Sequence, residues 1–410
     1  MSKKKIINDP VYGFIEINSD LIFDLIEHPY FQRLRRIKQL GLTDLVYPGA
    51  LHTRFHHALG AMHLMGQALS SIAGKGISIS DEEAEAAKIA ILLHDIGHSP
   101  FSHALEYSIL VNVRHESISE LVMEQLDQEF GGKLKLAIQM FKNQYARSFF
   151  HQLISSQLDM DRLDYLNRDC FFTGVHEGTI GAERIIKMLN VANDELVIDQ
   201  KGIYSVENFL TARRLMYWQV YLHKTTICAE KMTIQIIERV RHLLHKKINV
   251  PCSESLAYFL SKELSISDFS AKKRGFEHFM NLDDHDIWFS IKQWVNHPDK
   301  VLSTLCKMIV TRKLFSIQLS NKVIPKTETE KAKKLTMKTL GIKEADLKYF
   351  ILTGTVSNEA YIHNKHKEIK ILTKDKKLVN LVTASDLPNI KALGKIVKKH
   401  YLCFPKIVSL

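Results

Sequence analysis

The sequence predicts a mainly α protein: a helical core that carries the chemistry, followed by a C-terminal helical region bearing a small antiparallel β-sheet. Three observations predict it. Apolar residues recur at helical spacing through the first 250 residues, capping signals such as Ser80 with Glu83 open helical segments, and period-two apolar stretches are confined to a short piece near Asp199 and to the part after Tyr349. With 410 residues, 45% of them hydrophobic, the chain can bury one large core or a few smaller ones. The division drawn here is 1–250 for the core with its N-terminal lead-in and 251–410 for the C-terminal region.

Lys and Arg number 56 against 45 Asp and Glu, a net charge of +11, which favours anionic partners without choosing among nucleotides, nucleic acid and membrane surfaces. No apolar run approaches the roughly 18 residues of a membrane span, and no apolar stretch of a signal peptide follows Lys3-Lys4-Lys5. The expectation is a cytoplasmic protein with no membrane partner. Cys170, Cys228, Cys252, Cys306 and Cys403 are scattered and contain no C-x-x-C pair, so neither a disulfide framework nor a cysteine zinc site is expected.

Residues 1–20 read as an extended, turn-rich lead-in, punctuated by Asn8-Asp9-Pro10 and Gly13. Ser19 to Gly41 is helical by spacing, with Leu21, Leu25, Phe31, Leu34, Ile37 and Leu40 as the apolar face and a break at Pro29. The opposite face, Gln32, Arg33, Arg35, Arg36 and Lys38, is either solvated or able to hold a phosphate. A turn at Pro48-Gly49 precedes a helix capped near Thr53. On that helix His57 shares a side with Gly60, Ala61, Leu64 and Ala68, a small-residue face suited to close packing. Another helix opens at Arg114-His115-Glu116, and one over Leu158–Asp169 puts Asp161, Tyr165 and Asp169 on one side.

Glu195–Asp199 and Gly202–Val206 look like a hairpin around Gln200-Lys201-Gly202. It leads into one helix from Glu207 to about Lys246 carrying Arg213, Tyr217, Tyr221 and Lys224. Helices continue past Pro251 to about Leu340, with Lys322–Lys338 either a solvated helix or a connector. Tyr349–Leu352, Glu368–Leu372 and Leu378–Val382 suggest the small sheet, and a basic helix precedes Tyr401.

The chemistry centres on His94-Asp95-Ile96-Gly97-His98. The segment opened by Ser80 carries Ala87, Ala90 and Ile91 at helical spacing, and the same stripe continues into His94, Asp95 and His98. A carboxylate and two imidazoles facing a core cost several kcal/mol unless compensated, and one divalent cation compensates them together. His57 and Asp161 complete a four-ligand set with His94 and Asp95. Such ligands suit iron, manganese, nickel or zinc, an ion that can activate water and neutralise a phosphoryl oxygen. His98, His103 and His115 then sit where proton donors or phosphate partners are needed. There is no H-E-x-x-H, no Walker A sequence and no G-x-G-x-x-G, so phosphate handling falls to arginines.

Phe55-x-His57, His94 through His103, His115-Glu116 and the run from Asp159 and Asp161 through Arg162, Tyr165 and Asp169 resemble the motifs of the HD-domain deoxynucleoside triphosphate triphosphohydrolases. The likeness is to the subgroup containing the animal sterile-alpha-motif and HD-domain enzyme and its bacterial relatives. It runs from Asn8 to about Lys224, and no sterile-alpha-motif domain is expected ahead of it.

The resemblance implies an all-helical HD core with a metal on His57, His94, Asp95 and Asp161, and hydrolysis at the α-phosphorus to deoxynucleoside and inorganic triphosphate. It places Gln39 and Leu40 on the deoxyribose, Gln39 and Asp169 at the 3′-hydroxyl, and Tyr221 against the position of a 2′-hydroxyl. Arg54, Arg162, Tyr165 and Arg213 would hold phosphates, and Tyr217 would lie beside the nucleotide. His103, oriented by Glu106, would protonate the leaving 5′-oxygen, with His98, His115 and Glu116 orienting water or stabilising charge.

The resemblance further implies Mg accompanying the triphosphate, a homotetramer, and an allosteric nucleotide at Lys5, Ile6, Asn8, Glu27, Gln32 and Arg35. Glu27 stands where the animal enzyme has a shorter Asp, and Leu222 where it has Gln. Two other functions remain open on the residues alone: an HD phosphohydrolase acting on another nucleotide, such as a monophosphate or a signalling nucleotide, and a basic nucleic-acid-binding protein with an unused site.

Overall fold

The computed structural model describes residues 5–102, 105–110, 113–262, 264–269, 274–358, 368–387 and 397–406. The architecture is mainly α-helical, with small β-sheets that draw on the C-terminal region. Strands β1 (Lys5–Asp9) and β2 (Gly13–Ile17) form an antiparallel hairpin, so the lead-in is more ordered than an extended segment. The Asp9 side chain closes its turn by accepting from the amides of Val11 and Tyr12 at 2.9 and 3.0 Å.

Helix α1 (Asp20–Glu27) is capped by Ser19, and a second short turn starts at Pro29. The helical stretch stops at Arg36 rather than at Gly41. Arg33 is fully buried, which corrects its assignment to the basic face: its guanidinium is spent on backbone carbonyls inside the protein.

Helix α2 (Arg54–Ala73) packs against both α3 (Asp81–Leu93) and α5 (Met160–Thr173) at the centre of the core, and the first turns of α4 (His115–Glu129) meet Gly97 just beyond α3. Thr53 caps α2, and Ser80 and Glu83 close a reciprocal capping box on α3 at 3.1 and 2.9 Å. The small face of α2 is where α5 approaches. A Cβ on Gly60 would lie 2.0 Å from a carboxylate oxygen of Asp164, so only glycine admits that contact.

The hairpin expected around Gln200 lies one strand earlier. β3 (Leu189–Ala192) pairs with β4 (Glu195–Asp199) through Asn193 and Asp194, both at positive φ, the backbone of a tight hairpin turn. Ile203 begins helix α6 (Ile203–Met216) instead of a strand, because Ile203, Val206, Phe209 and Leu210 bury one helical face. The long helix expected from Glu207 is also interrupted. A π-turn spans Tyr217–Tyr221 before α7 (Lys224–His245), and π-turns of this kind recur at functional sites.

Two sheets replace the single one expected. β7 (Lys370–Leu372) and β8 (Leu378–Asn380) are antiparallel, and β7 joins β4 in parallel. β5 (Phe315–Ser320) and β6 (Leu352–Asn358) flank β9 (Val397–Pro405), all antiparallel. The basic helix expected before Tyr401 is therefore strand from Val397 onward, where Leu402 and Phe404 bury against Ala332, and its earlier part lies outside the described residues. Lys326–Leu340 is a helix. Among the described residues all five cysteines are free thiols, and no helix is long and apolar enough to cross a membrane.

Candidate metal centre

His57 comes from the first turn of α2, His94 and Asp95 from the C-terminal end of α3, and Asp161 from the first turn of α5. Their polar atoms converge. His57 Nε2 lies 3.1 Å from Asp161 Oδ1, 3.4 Å from His94 Nε2 and 3.6 Å from Asp95 Oδ2. His94 Nε2 lies 3.3 Å from Asp95 Oδ1 and 3.5 Å from Asp161 Oδ1.

The fit to a cation follows from the other nitrogens. His57 Nδ1 is 2.7 Å from Asp164 Oδ2, and His94 Nδ1 is 2.6 Å from the Ile91 carbonyl. Both partners are acceptors, so both Nδ1 atoms carry the proton and both Nε2 atoms point lone pairs at each other. Two lone pairs facing two carboxylates require a positive charge between them. The electrostatics of the cluster point the same way. Burial alone would lower His57, yet its hydrogen bonds to Asp161 and Asp164 raise it to about 10. Asp161, which burial would raise, is held well below the usual carboxylate range by His57 and His94.

Behind the imidazole of His57 stands a buried ionic chain that the sequence reading left unassigned. Arg168 donates to Asp164 at 2.9 and 3.0 Å and reaches Asp9 of the hairpin at 2.8 Å. All three charges are buried. Such support fixes a ligand's tautomer and direction. The signal was in the spacing: Asp164 follows Asp161 by three residues and precedes Arg168 by four, one helical stripe pointing at the small face of α2.

Asp95, His98 and His115 form a second cluster of ligand-type atoms beside the first. His98 Nδ1 is 3.3 Å from Asp95 Oδ1, its ring stacks on His115 at 3.7 Å between centroids, and Glu116 is 3.6 Å from His115. The two neighbouring triads are consistent with a single divalent metal site. Arg54 is ion-paired with Asp95 and donates to Ser102 at 2.9 Å.

A cavity of about 540 Å³ opens onto the cluster. It is lined by Gln39, Leu40, Arg54, His94, Asp95, His98, His115, Glu116, Asp161, Arg162, Tyr165, Asp169, Tyr217 and Tyr221, which are most of the residues that the sequence singles out. Tyr221 donates to Asp169 at 2.8 Å, and His52 holds the other Asp169 oxygen at 2.7 Å. Gln39 Oε1 is buried with no hydrogen-bond partner among the described residues. Arg162 is paired with Asp159, the cap of α5. Arg213 does not line the cavity: it is buried behind Tyr217 and donates to Gln157 at 3.3 Å. Glu230 and Leu222 do line it, and Glu230 went unnoticed in the sequence. His103 and the Glu106 side chain lie outside the described residues.

The residues expected to hold a second nucleotide form two local pairs. Lys5 bridges Glu27 at 2.6 Å, and Arg35 donates to Gln32 at 2.8 Å. Ile6 and Asn8 are exposed on β1.

Comparison with known proteins bears on this geometry. The family model described as HD domain matches residues 54–169, and that described as HD associated region matches residues 180–250. A crystal structure of a phosphohydrolase from Bacteroides thetaiotaomicron is 50% identical, covering 98% of this chain and 100% of that one with a TM-score of 0.94. The uncharacterized protein YwfO of Bacillus subtilis is 31% identical over 99% of this chain and 93% of its own length. A deoxynucleoside triphosphate triphosphohydrolase SAMHD1 homolog of Dictyostelium discoideum is 31% identical over 54% of this chain and 46% of its own length, so the match spans less than half of that relative. With the HD residues converging on one cation-demanding cluster, the chain belongs to the HD-domain phosphohydrolase family.

Proposed function

We propose that the protein hydrolyses deoxynucleoside triphosphates at the α-phosphorus, releasing deoxynucleoside and inorganic triphosphate, with a divalent transition metal on His57, His94, Asp95 and Asp161. One observation carries the reading. A single cavity joins the cation-demanding cluster to Arg54 and Arg162 at one part of its wall and to a Tyr221–Asp169 pair at another, as a polyanion with a sugar attached requires. The name of the Dictyostelium relative supports the same substrate class.

When bound, the metal supplies Lewis acidity toward a phosphoryl oxygen and acidifies water at neutral pH. Arg54 and Arg162 neutralise and orient the phosphates, Tyr165 donates a hydrogen bond to them, and the buried Arg213 adds a positive charge behind Tyr217. Gln39 and Leu40 meet the deoxyribose. The carboxylate of Asp169 accepts the 3′-hydroxyl with the Gln39 side-chain amide beside it, and Tyr221, tied to Asp169, fills the room a 2′-hydroxyl would need. Tyr217 lies along the nucleotide. His98 stacked on His115 beside Glu116 holds protons next to Asp95, and His103 with Glu106 protonates the leaving 5′-oxygen. A second nucleotide at Lys5, Ile6, Asn8, Glu27, Gln32 and Arg35 would order the hairpin in a homo-oligomer, and Mg would accompany the triphosphate. The cytoplasm is where such substrates are found.

The test is incubation of purified protein with each dNTP, singly and mixed, with Mn or Mg, and chromatography of the products. Triphosphate and deoxynucleoside are expected. Orthophosphate or pyrophosphate would move the protein to a different nucleotide reaction, and salt-sensitive nucleic-acid binding without turnover would remove the enzymatic reading.

A further inference from the structure

The loop that follows His98 is strained. Phe101 and Ser102 are consecutive non-glycine residues at φ 54° and 55°, a left-handed conformation that L residues hold only where their surroundings impose it. Both line the cavity. The backbone of Gly41 presses so close that a Cβ there would lie 2.9 Å from the Phe101 carbonyl oxygen.

What imposes the conformation comes from the far side of the chain. Asp284, the first residue of helix α8 (Asp284–Trp294), is only 4% exposed. One carboxylate oxygen accepts the Phe101 amide at 2.7 Å and the other accepts the Lys38 amide at 2.9 Å. The helix does not need it as a cap, since Asp283 fills that role with Asp286. Among the described residues no Lys or Arg pairs with it directly. A carboxylate buried without a cation and spent wholly on two loop amides is costly to keep.

The neighbouring contacts close the frame. Lys38 O accepts the Ser102 hydroxyl at 2.8 Å, that hydroxyl accepts Arg54 Nε at 2.9 Å, and Arg54 pairs with Asp95. Arg33 ties the carbonyl of His98 at 2.9 Å to that of Leu282 at 2.8 Å, two residues before Asp284. Trp288, one turn along α8, sets its ring against Phe101 at 5.8 Å.

We infer that Asp284 is a positioning residue of the phosphohydrolase site, holding the Phe101–Ser102 loop in its strained form and thereby fixing His98 and Arg54 against Asp95. The inference rests on the proposed reaction for its kinetic readout, and its structural readout is independent of that reaction. Asp284→Ala and Asp284→Asn are compared with wild type for kcat, KM, metal content, melting temperature and amide exchange at Phe101 and Lys38. The Ala variant is expected to keep its metal, because His57, His94, Asp95 and Asp161 are held by α2, the end of α3 and α5 and not by the loop, and to lose about 100-fold in kcat with KM little changed, the scale of a 1 Å misplacement. Exchange accelerates at both amides.

Asn has one acceptor oxygen and so protects one amide, and its kcat falls between the two. The inference is overturned if exchange accelerates while turnover stays within about twofold, or if the activity loss follows metal content or melting temperature in proportion. Should wild type hydrolyse no dNTP, the proposed substrate fails, and the kinetic arm is read on whichever nucleotide wild type does hydrolyse. Unchanged exchange at both amides in the Ala variant overturns the inference in either case.

Discussion

Replacing Gly60 with Ala tests the support of His57 more sharply than removing any ligand does. A Cβ at this position would lie 2.0 Å from Asp164 Oδ1 and 2.1 Å from Arg168 Nη2. Ordinary contact begins near 3.4 Å, so the carboxylate must retreat by about 1.4 Å and the guanidinium by about 1.3 Å. A retreat of that size breaks the 2.7 Å bond from His57 Nδ1 and pulls Arg168 from its 2.9 Å contact.

Disrupting a buried ion pair costs about 3–5 kcal/mol, and loss of a ligand's hydrogen-bonded support costs about 10–100-fold in metal affinity. Gly60→Ala should therefore lower both the melting temperature and the affinity for Mn or Zn measured by calorimetric titration. The same helix contains its control. A Cβ on Gly66 would meet only Lys88 Cε at 3.4 Å, so Gly66→Ala should be neutral or stabilise by roughly 0.5–1 kcal/mol, the helical preference of Ala over Gly. If Gly60→Ala binds metal and melts as wild type does, the packing of α2 against α5 is not what orients His57.

Further predictions follow the same contacts. Arg168→Ala leaves Asp9 and Asp164 buried without their cation, so urea denaturation should register a loss of about 3–5 kcal/mol and hairpin amides from Lys5 to Ile17 should exchange faster; a loss below ~1 kcal/mol contradicts the chain of charges. Burial would raise Glu83, but hydrogen bonds from Ser80, Arg147 and Tyr145 hold its carboxyl below the ordinary value. Its contribution is therefore present above the unfolded pKa of ~4.3 and lost as pH falls through the lower folded value, and Glu83→Gln should flatten the acid limb of the melting profile. Burial pushes Glu230 up to about 7. It ionises against an anionic substrate as pH rises through that value, so KM should climb there, and Glu230→Gln should remove the climb.

The parts of the fold that the sequence made legible are those with local causes. The capping box at Ser80 and Glu83, the cap at Thr53 and the helical stripes leading to His57, His94 and Asp161 are short-range patterns, and each is present. Misplaced elements had their cause elsewhere. β9 is strand because β5 and β6 cover both of its edges, and Gly202–Val206 is not strand because its apolar residues face helical neighbours. Arg33 looked solvated because nothing within a few residues shows that Leu282 and His98 offer it carbonyls. Asp164 draws no notice in the sequence, since its role depends on Gly60, more than 100 positions away, leaving it room.

The same distinction explains why the site needs residues that are not ligands. The candidate ligands arrive from three helices, with His94 and Asp95 sharing the end of α3, and a helix end fixes a side chain's position only to within its rotamers. The remaining freedom is removed by charges from outside the core motif: Asp9 and Arg168 act on His57 through Asp164, and Asp284 acts on the loop after His98. Both supports are buried and both use carboxylates that bind something else in preference to the cation. Alternating the signs along Asp9, Arg168, Asp164 and His57 keeps Asp164 from joining the candidate ligands, because its two oxygens are already committed to Arg168 and the His57 Nδ1 proton. Arginine suits that position where lysine would not, since one guanidinium reaches two carboxylates at once. A displacement of the N-terminal hairpin that moved Asp9 would thus alter the acceptor of His57 before it altered any ligand.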